Sequence, residues 1–234
     1  MRTLILLTVL SLIVSPAFAQ KYISWEAENY DAINGEKFQT FETPSDQPGN
    51  AGEGVDDYTV AEASGGAFIG SANGAGNDGG DWVKYEFSVD GDDWHFWGRV
   101  IAPSVADNSC YWALDTADGD VTSTNDGPMN IWDFYEAGEL RENYTTDWVW
   151  FRLNSRNGPF EGLELTQHGD DPVPVELSAG EHTLHIAHRE DGTHIDQIFA
   201  TTDIEFDPNE TNPQTAVEPK NKLTTTWGAL KSGF

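Results

Sequence analysis

Apolar residues in this chain recur in short runs with a period of two, and no run carries the longer period of an amphipathic helix. The runs are WVKYEFSV (82–89), WHFWGRVIA (94–102), YWALDT (111–116), WVWFRL (148–153), PVELSAGEHTLHIAHRE (174–190) and HIDQIFATT (194–202). They are rich in Val, Ile, Thr and aromatics and are broken by Gly, Asn, Asp and Pro, the residues that turn a chain. In TLHIAHRE, Leu184 and Ile186 point one way while His185 and Ala187 point the other, as side chains do along a half-buried strand. Many short strands separated by turns predict an all-β fold, a β-sandwich. In LSAGEH (177–182) a tight turn enters a strand, with Gly180 free to take positive φ. Nine Trp, twelve Phe and seven Tyr supply enough bulk for one core. With a single cysteine, Cys110, the chain cannot make an internal disulfide, so packing, with or without a metal staple, must hold it. Cys110 itself, beside Tyr111 and Trp112, is expected to be a buried small apolar residue.

The two ends read differently from the middle. MRTLILLTVLSLIVSPAFAQ has one basic residue, Arg2, an apolar stretch and a small-residue Ala17-Phe18-Ala19 site before Gln20. This is the pattern of a secretory signal over residues 1–19. Its apolar run is short for a membrane span, so export to an extracellular or periplasmic space, without membrane insertion, is expected. The patterned region covers 21–202. Residues 203–222 are rich in Pro, Asn and Thr and read as a linker. LTTTWGALKSGF (223–234) reads as a short tail that could attach the protein to a surface partner. Long loops are expected near 42–57, 70–80, 117–147 and 154–172, where binding residues usually sit.

Twelve basic residues against forty acidic ones give a formal net charge of −28. This argues strongly against nucleic acid or an anionic membrane as a partner. It is compatible with divalent cations and with neutral or cationic ligands, and also with a charge that serves solubility alone.

ISWEAENY (23–30) raises a separate question. On a strand, Glu26 and Glu28 share one face, and Trp25, Ala27 and Asn29 share the other. Stacked carboxylates repel unless something lies between them. Water, an Arg or Lys, or a metal ion would each serve.

The order of several short motifs resembles one known group. These are E-A-E (26–28), G-D-W-V-K-Y (80–85), F-W-G-R-V (96–100), W-V-W (148–150), L-S-A-G-E-H-T-L (177–184) and D-G-T-H-I-D-Q-I (191–198). They are similar in sequence order to family 6 and family 35 carbohydrate-binding modules and their galactose-binding-domain-like jelly-roll relatives, over about residues 21–202. The resemblance implies a single jelly-roll β-sandwich and a structural calcium ion held by Glu26, Glu28 and Asp196, tying the first strand to the last. Backbone carbonyls within Ala63–Gly66 would complete the shell, and calcium wants such oxygen ligands. The resemblance also implies a non-catalytic protein that binds polysaccharide or another glycan in an aromatic cleft at a loop end, formed by Phe68, Trp148 and His194. Phe68 stands where Tyr is common, and His194 stands where Asn is common. The alternative is a surface or matrix adhesion module, or spacer, that binds no glycan.

Other residues read as structural. Arg99 lies mid-strand and needs a carboxylate partner, Asp115 or Glu190, unless it meets a uronate on the ligand. Arg189 with Glu190 is open to the same two readings. Trp150 is expected in the core, and so is Trp82, beside Tyr85 and Trp97, whereas Trp112 and Trp132 are not assigned to core or surface. NDGGD (77–81) reads first as a solvated turn, with sugar hydroxyls or a second calcium as its other uses. His182 and His188 share a strand face ~20 Å apart with His185 pointing away, which makes a poor zinc site. The chain carries no G-x-S-x-G and no recognisable Cys-His frame. No spacing fixes a carboxylate pair for glycoside hydrolysis, so a small lyase or glycosidase is the least favoured reading.

Overall fold

The computed structural model describes residues 21–43, 48–49, 58–71, 80–104, 106–122, 128–134, 145–155, 174–211 and 213. The signal region, the end of the expected linker, the 223–234 tail and much of the long loops lie outside these residues. Among the described residues no helix is long and apolar enough to cross a membrane.

Two antiparallel sheets face each other. One has five strands in the order β10 (Asn130–Asp133), β9 (Ser109–Leu114), β13 (Gly180–Ala187), β7 (Trp82–Val89) and β2 (Ala32–Asn34). The other has seven. Its main path runs β11 (Thr145–Arg152), β8 (Asp92–Ala102), β14 (His194–Thr201), β6 (Ala67–Ser71) and β3 (Phe38–Glu42). Its two remaining members are β1 (Tyr22–Glu26), paired with β14, and β12 (Pro174–Leu177), paired with β8. A separate two-residue pairing joins β4 (Pro48–Gly49) and β5 (Tyr58–Thr59). From β7 onward the chain passes repeatedly from one sheet to the other, which is the winding of a jelly-roll sandwich.

Period-two patterning produces this arrangement. Val83, Tyr85, Phe87 and Val89 of β7 and Leu184 and Ile186 of β13 point inward from the five-stranded sheet. Trp94, Phe96, Val100 and Ala102 of β8, with Phe151 of β11, meet them from the seven-stranded sheet. Trp112 and Trp132 fill the middle of the core, and each indole N–H is satisfied by a backbone carbonyl, of Asn154 and Arg152 respectively. Gly98 makes room for them: a Cβ there would lie 2.6 Å from the Trp132 ring. Cys110 is buried in this core, and burial raises its thiol pKa.

Trp82 does not join Tyr85. It packs on the outer face of the five-stranded sheet with Tyr111, Val121, Met129 and Ile131, because residues 82 and 85 have opposite parity on one strand. Trp97 likewise lies on the outer face of the other sheet, under the Arg152 guanidinium at 5.2 Å.

Residues 203–211 also differ from the linker reading. They fold back along β11, which is an edge strand. The Asn209 side chain accepts a hydrogen bond from the Trp150 N–H (3.1 Å) and donates one to the Trp150 carbonyl (3.2 Å). One carboxamide thus imitates a neighbouring strand. Arg152 donates to the Ile204 carbonyl, and Phe206 packs against Phe199 with ring centres 5.0 Å apart.

Candidate functional site

The register of β1 against β14 places Glu26 opposite Gln197, and the Ala27 N–H donates to the Asp196 carbonyl. The first and last strands of the sandwich therefore lie side by side. β1 ends at Glu26, and Ala27 and Glu28 form a turn. The two glutamates still converge, now around Gly65. A Cβ on Gly65 would sit 2.8 Å from Glu28 Oε1 and 3.4 Å from Glu26 Cγ, and its φ of 70° also favours glycine.

Asp196 occupies a bulge. Ile195 pairs with Val100 and Gln197 pairs with Arg99, leaving Asp196 as the extra residue. Its fully buried carboxylate meets the Arg99 guanidinium. This corrects the expected Arg99 partners. Asp115 serves His182 and Thr183 instead, and Glu190 pairs with Arg189, whose guanidinium also lies 5.9 Å from the centre of the Tyr111 ring. Burial pushes the Asp196 carboxyl up to about 7, with Arg99 opposing that rise. Burial likewise raises Glu28.

Glu26 Oε1 accepts from Ser64 and from Gln197, each at 3.1 Å. Glu26 Oε2, Glu28 Oε2 and Asp196 Oδ1 are buried without hydrogen-bond partners. Such oxygens suit a hard cation. As placed, however, no three His, Cys, Asp or Glu side chains among the described residues form a group that could hold a metal. Arg99 supplies one positive charge where three carboxylates gather.

The three residues expected to form the aromatic cleft do come together. Phe68 contacts Trp148 at 5.5 Å and His194 at 4.8 Å between ring centres, and Phe41 stacks on Phe68. They do not form an open face. Phe68 is 0% exposed and His194 4%. The His194 ring lies on Gly70, where a Cβ would fall 2.5 Å from Nδ1. Burial lowers its pKa to about 4. Phe68, itself backed by His194, thus braces Trp148 from behind.

The open surface is on the other side of Trp148. Trp148, Trp150, Arg99 and Gln197 line a groove of about 680 Å³ on the outer face of the seven-stranded sheet. One wall is the loop before β6, from Glu62 to Ser64, and another is the Pro208–Glu210 turn. Trp148 is fixed by three contacts: its indole N–H donates to the Ala61 carbonyl, Phe68 packs edge-on, and Arg99 lies 5.6 Å from its ring centre. Trp150, two residues on, presents the same strand face and is half-buried in the groove rather than in the core. Ser64 and Gln197 both line the groove and both hold Glu26, so the groove and the carboxylate cluster share a boundary.

The remaining candidates resolve as structural groups. His182 bonds Asp115 through Nδ1 (2.7 Å) and the Ser178 carbonyl through Nε2 (2.9 Å), and His185 bonds Asp118. Asp81 accepts the Glu36 and Lys37 N–H groups, so it shapes the turn after β2. Residues 77–79 lie outside the described residues.

No protein-family model matches this chain, and no curated protein matches it by sequence. Solved structures do match. The C-terminal family 6 carbohydrate-binding module of a marine laminarinase from Zobellia galactanivorans is 15% identical, with a TM-score of 0.41, covering 77% of this chain and 99% of that one. A family 35 carbohydrate-binding module from Clostridium thermocellum is 11% identical, TM-score 0.42, covering 77% and 97%. A Podospora anserina β-(1,4)-mannanase with a family 35 module is 15% identical, TM-score 0.42. That match covers 80% of this chain and 29% of the mannanase. These include the two families whose motif order the sequence resembles. At such identities and scores the assignment of an all-β sandwich rests on the strand pairing itself.

Proposed function

We propose that this is an exported, non-catalytic carbohydrate-binding protein that holds polysaccharide in the Trp148–Trp150 groove. The observation that carries the reading is two half-buried tryptophans on one strand face, floored by Arg99 and Gln197, in a groove of about 680 Å³. Sugar rings bind by laying C–H faces on aromatic faces while polar side chains take the hydroxyls. Gln197, Ser64, Asn209, Glu62 and Glu210 offer such groups beside the indoles. The motif order from E-A-E to D-G-T-H-I-D-Q-I supports the same reading.

The calcium ion belongs to this proposal. Glu26, Glu28 and the unpartnered Oδ1 of Asp196 would hold it once their side chains close in, with Asp196 Oδ2 keeping Arg99, and the ion would clamp β1 to β14 beside the groove. The three unpartnered buried oxygens support it. In this role calcium supplies charge neutralisation and rigidity, not chemistry on the sugar.

Affinity electrophoresis of the purified protein against a panel of neutral, acidic and amino polysaccharides tests the reading. Retardation by at least one polysaccharide is expected, and Trp150→Ala should abolish it while leaving the fold intact by circular dichroism. No retardation by any member of the panel, or retardation unchanged in Trp150→Ala, overturns it.

A further inference from the structure

The charges around the groove point to a narrower ligand class. Among the described residues, three charged side chains line it: Glu62, Arg99 and Glu210. The one cation among them is already committed. Its guanidinium closes on the buried Asp196 carboxylate and covers the Trp148 ring. To meet an anionic ligand, Arg99 would have to leave the buried Asp196 oxygen that it alone neutralises among the described residues, which is costly. Glu62 and Glu210 are in the opposite situation. Both are exposed, and neither has an ion-pair partner among the described residues.

They also come from unrelated parts of the chain. Glu62 stands in the loop before β6. Glu210 is delivered by the 207–211 turn, which the Asn209 carboxamide pins to Trp150. A third carboxylate, Glu26, lies just below, held by two groove residues, Ser64 and Gln197. A ligand here meets two indole faces, which attract cations, and carboxylates on two walls that have no cation of their own among the described residues.

Resting on the reading that the groove binds carbohydrate, we propose that it selects glycans bearing protonated amino groups, with Glu62 and Glu210 receiving the ammonium and Trp148 and Trp150 stacking the ring. Neutral sugars keep the stacking and lose the charge term. Uronates and sulfated sugars meet two carboxylates and a spent arginine.

The test uses two β-1,4 tetrasaccharides with the same backbone, one of glucosamine and one of N-acetylglucosamine. Binding is measured by titration calorimetry on the full mature chain at mildly acidic pH, where the amines are charged. Two exposed ion pairs predict a preference for the glucosamine tetramer of about tenfold at ~20 mM salt, shrinking at ~300 mM. Glu62→Gln and Glu210→Gln should each cut that preference by about threefold. Glu176→Gln removes an exposed charge from β12 of the same sheet, and it should leave the preference in place.

Equal or tighter binding of the N-acetyl tetramer overturns the proposal. So does a preference that Glu176→Gln reduces as much as Glu210→Gln, since the charge of the whole molecule would then be responsible. If neither tetramer binds while another polysaccharide binds in a Trp150-dependent way, the amino-sugar proposal falls and the carbohydrate reading stands. If no saccharide binds, both fall.

Discussion

At the residue scale, the buried polar side chains show how much the fold relies on single hydrogen bonds. His182 is one case. Burial pulls its pKa down, but the Ser178 carbonyl and the Asp115 carboxylate outweigh this, and the net shift is upward. A histidine raised in the folded state contributes stability that is fully present below its unfolded pKa, near 6.5, and that is lost as pH rises through the higher folded value. His182→Ala should therefore destabilise by about 1–2 kcal/mol near pH 6, and by less near pH 8.5. Urea unfolding of both proteins at both pH values reads this; a larger cost at pH 8.5 would contradict the assignment. Asp115 holds the imidazole at a cost to its own backbone, since it is the only non-glycine residue of positive φ among those described. Nothing in the local sequence marks that role. LDT at 114–116 reads as the end of a strand, and the partner His182 is far away along the chain.

At the scale of elements, period-two patterning made the strands legible and separated the two faces of β13, whereas Trp82 and Trp97, expected beside Tyr85, lie on outer faces. It also placed Trp148 and Trp150 on one face. It did not show that this face is the outer one, because a strand of Trp, Val and Phe is apolar on both sides. Arg99 found Asp196 rather than Asp115 or Glu190 because a bulge in β14 turns the extra residue toward β8, and a bulge has no reliable signature in DQI. Phe68 and His194 share one aromatic cluster with Trp148, yet burial removes them from any open face. The segment 203–211 has the composition of a linker, and composition does not show that Asn209 meets the free edge of β11 while Arg152 and Phe199 hold Ile204 and Phe206. Edge strands left open invite pairing with other chains. Asn209→Ala should lower stability by about 1 kcal/mol, the worth of one or two exposed hydrogen bonds. It should also expose residues 207–211 to limited proteolysis and weaken the proposed glycan binding by freeing one wall of the groove. Unchanged cleavage of that segment would show that the carboxamide does not hold it.

At the scale of the molecule, forty acidic residues and no disulfide leave the sandwich dependent on its core and on how its buried carboxylates are neutralised. Glu26, Glu28 and Asp196 gather where the first and last strands meet, with Arg99 the only cation described against them. Calcium at millimolar concentration should raise the melting temperature by several degrees over the chelated protein, as a ligand bound only to the folded state must. Magnesium, smaller and reluctant to shed water, should do less. Asp196→Asn should abolish the calcium response. A melting temperature indifferent to calcium and chelator would leave Arg99 and the hydrogen bonds of Glu26 as the whole of the neutralisation. The excess of negative charge, evident from composition alone, repels polyanions at long range and leaves short-range selection to the proposed groove.

The central claim is that Trp148 and Trp150 stack the sugar in the groove, and indole N–H resonances report on it most directly. In a heteronuclear NMR titration with whichever oligosaccharide the panel identifies, the Trp150 indole signal and the side-chain amides of Gln197 and Asn209 should shift together and saturate at one affinity. The Trp82 signal, on the opposite sheet, should stay still. Shifts concentrated at Trp82 with Trp148 and Trp150 unmoved would place the sugar on the five-stranded sheet and contradict the account.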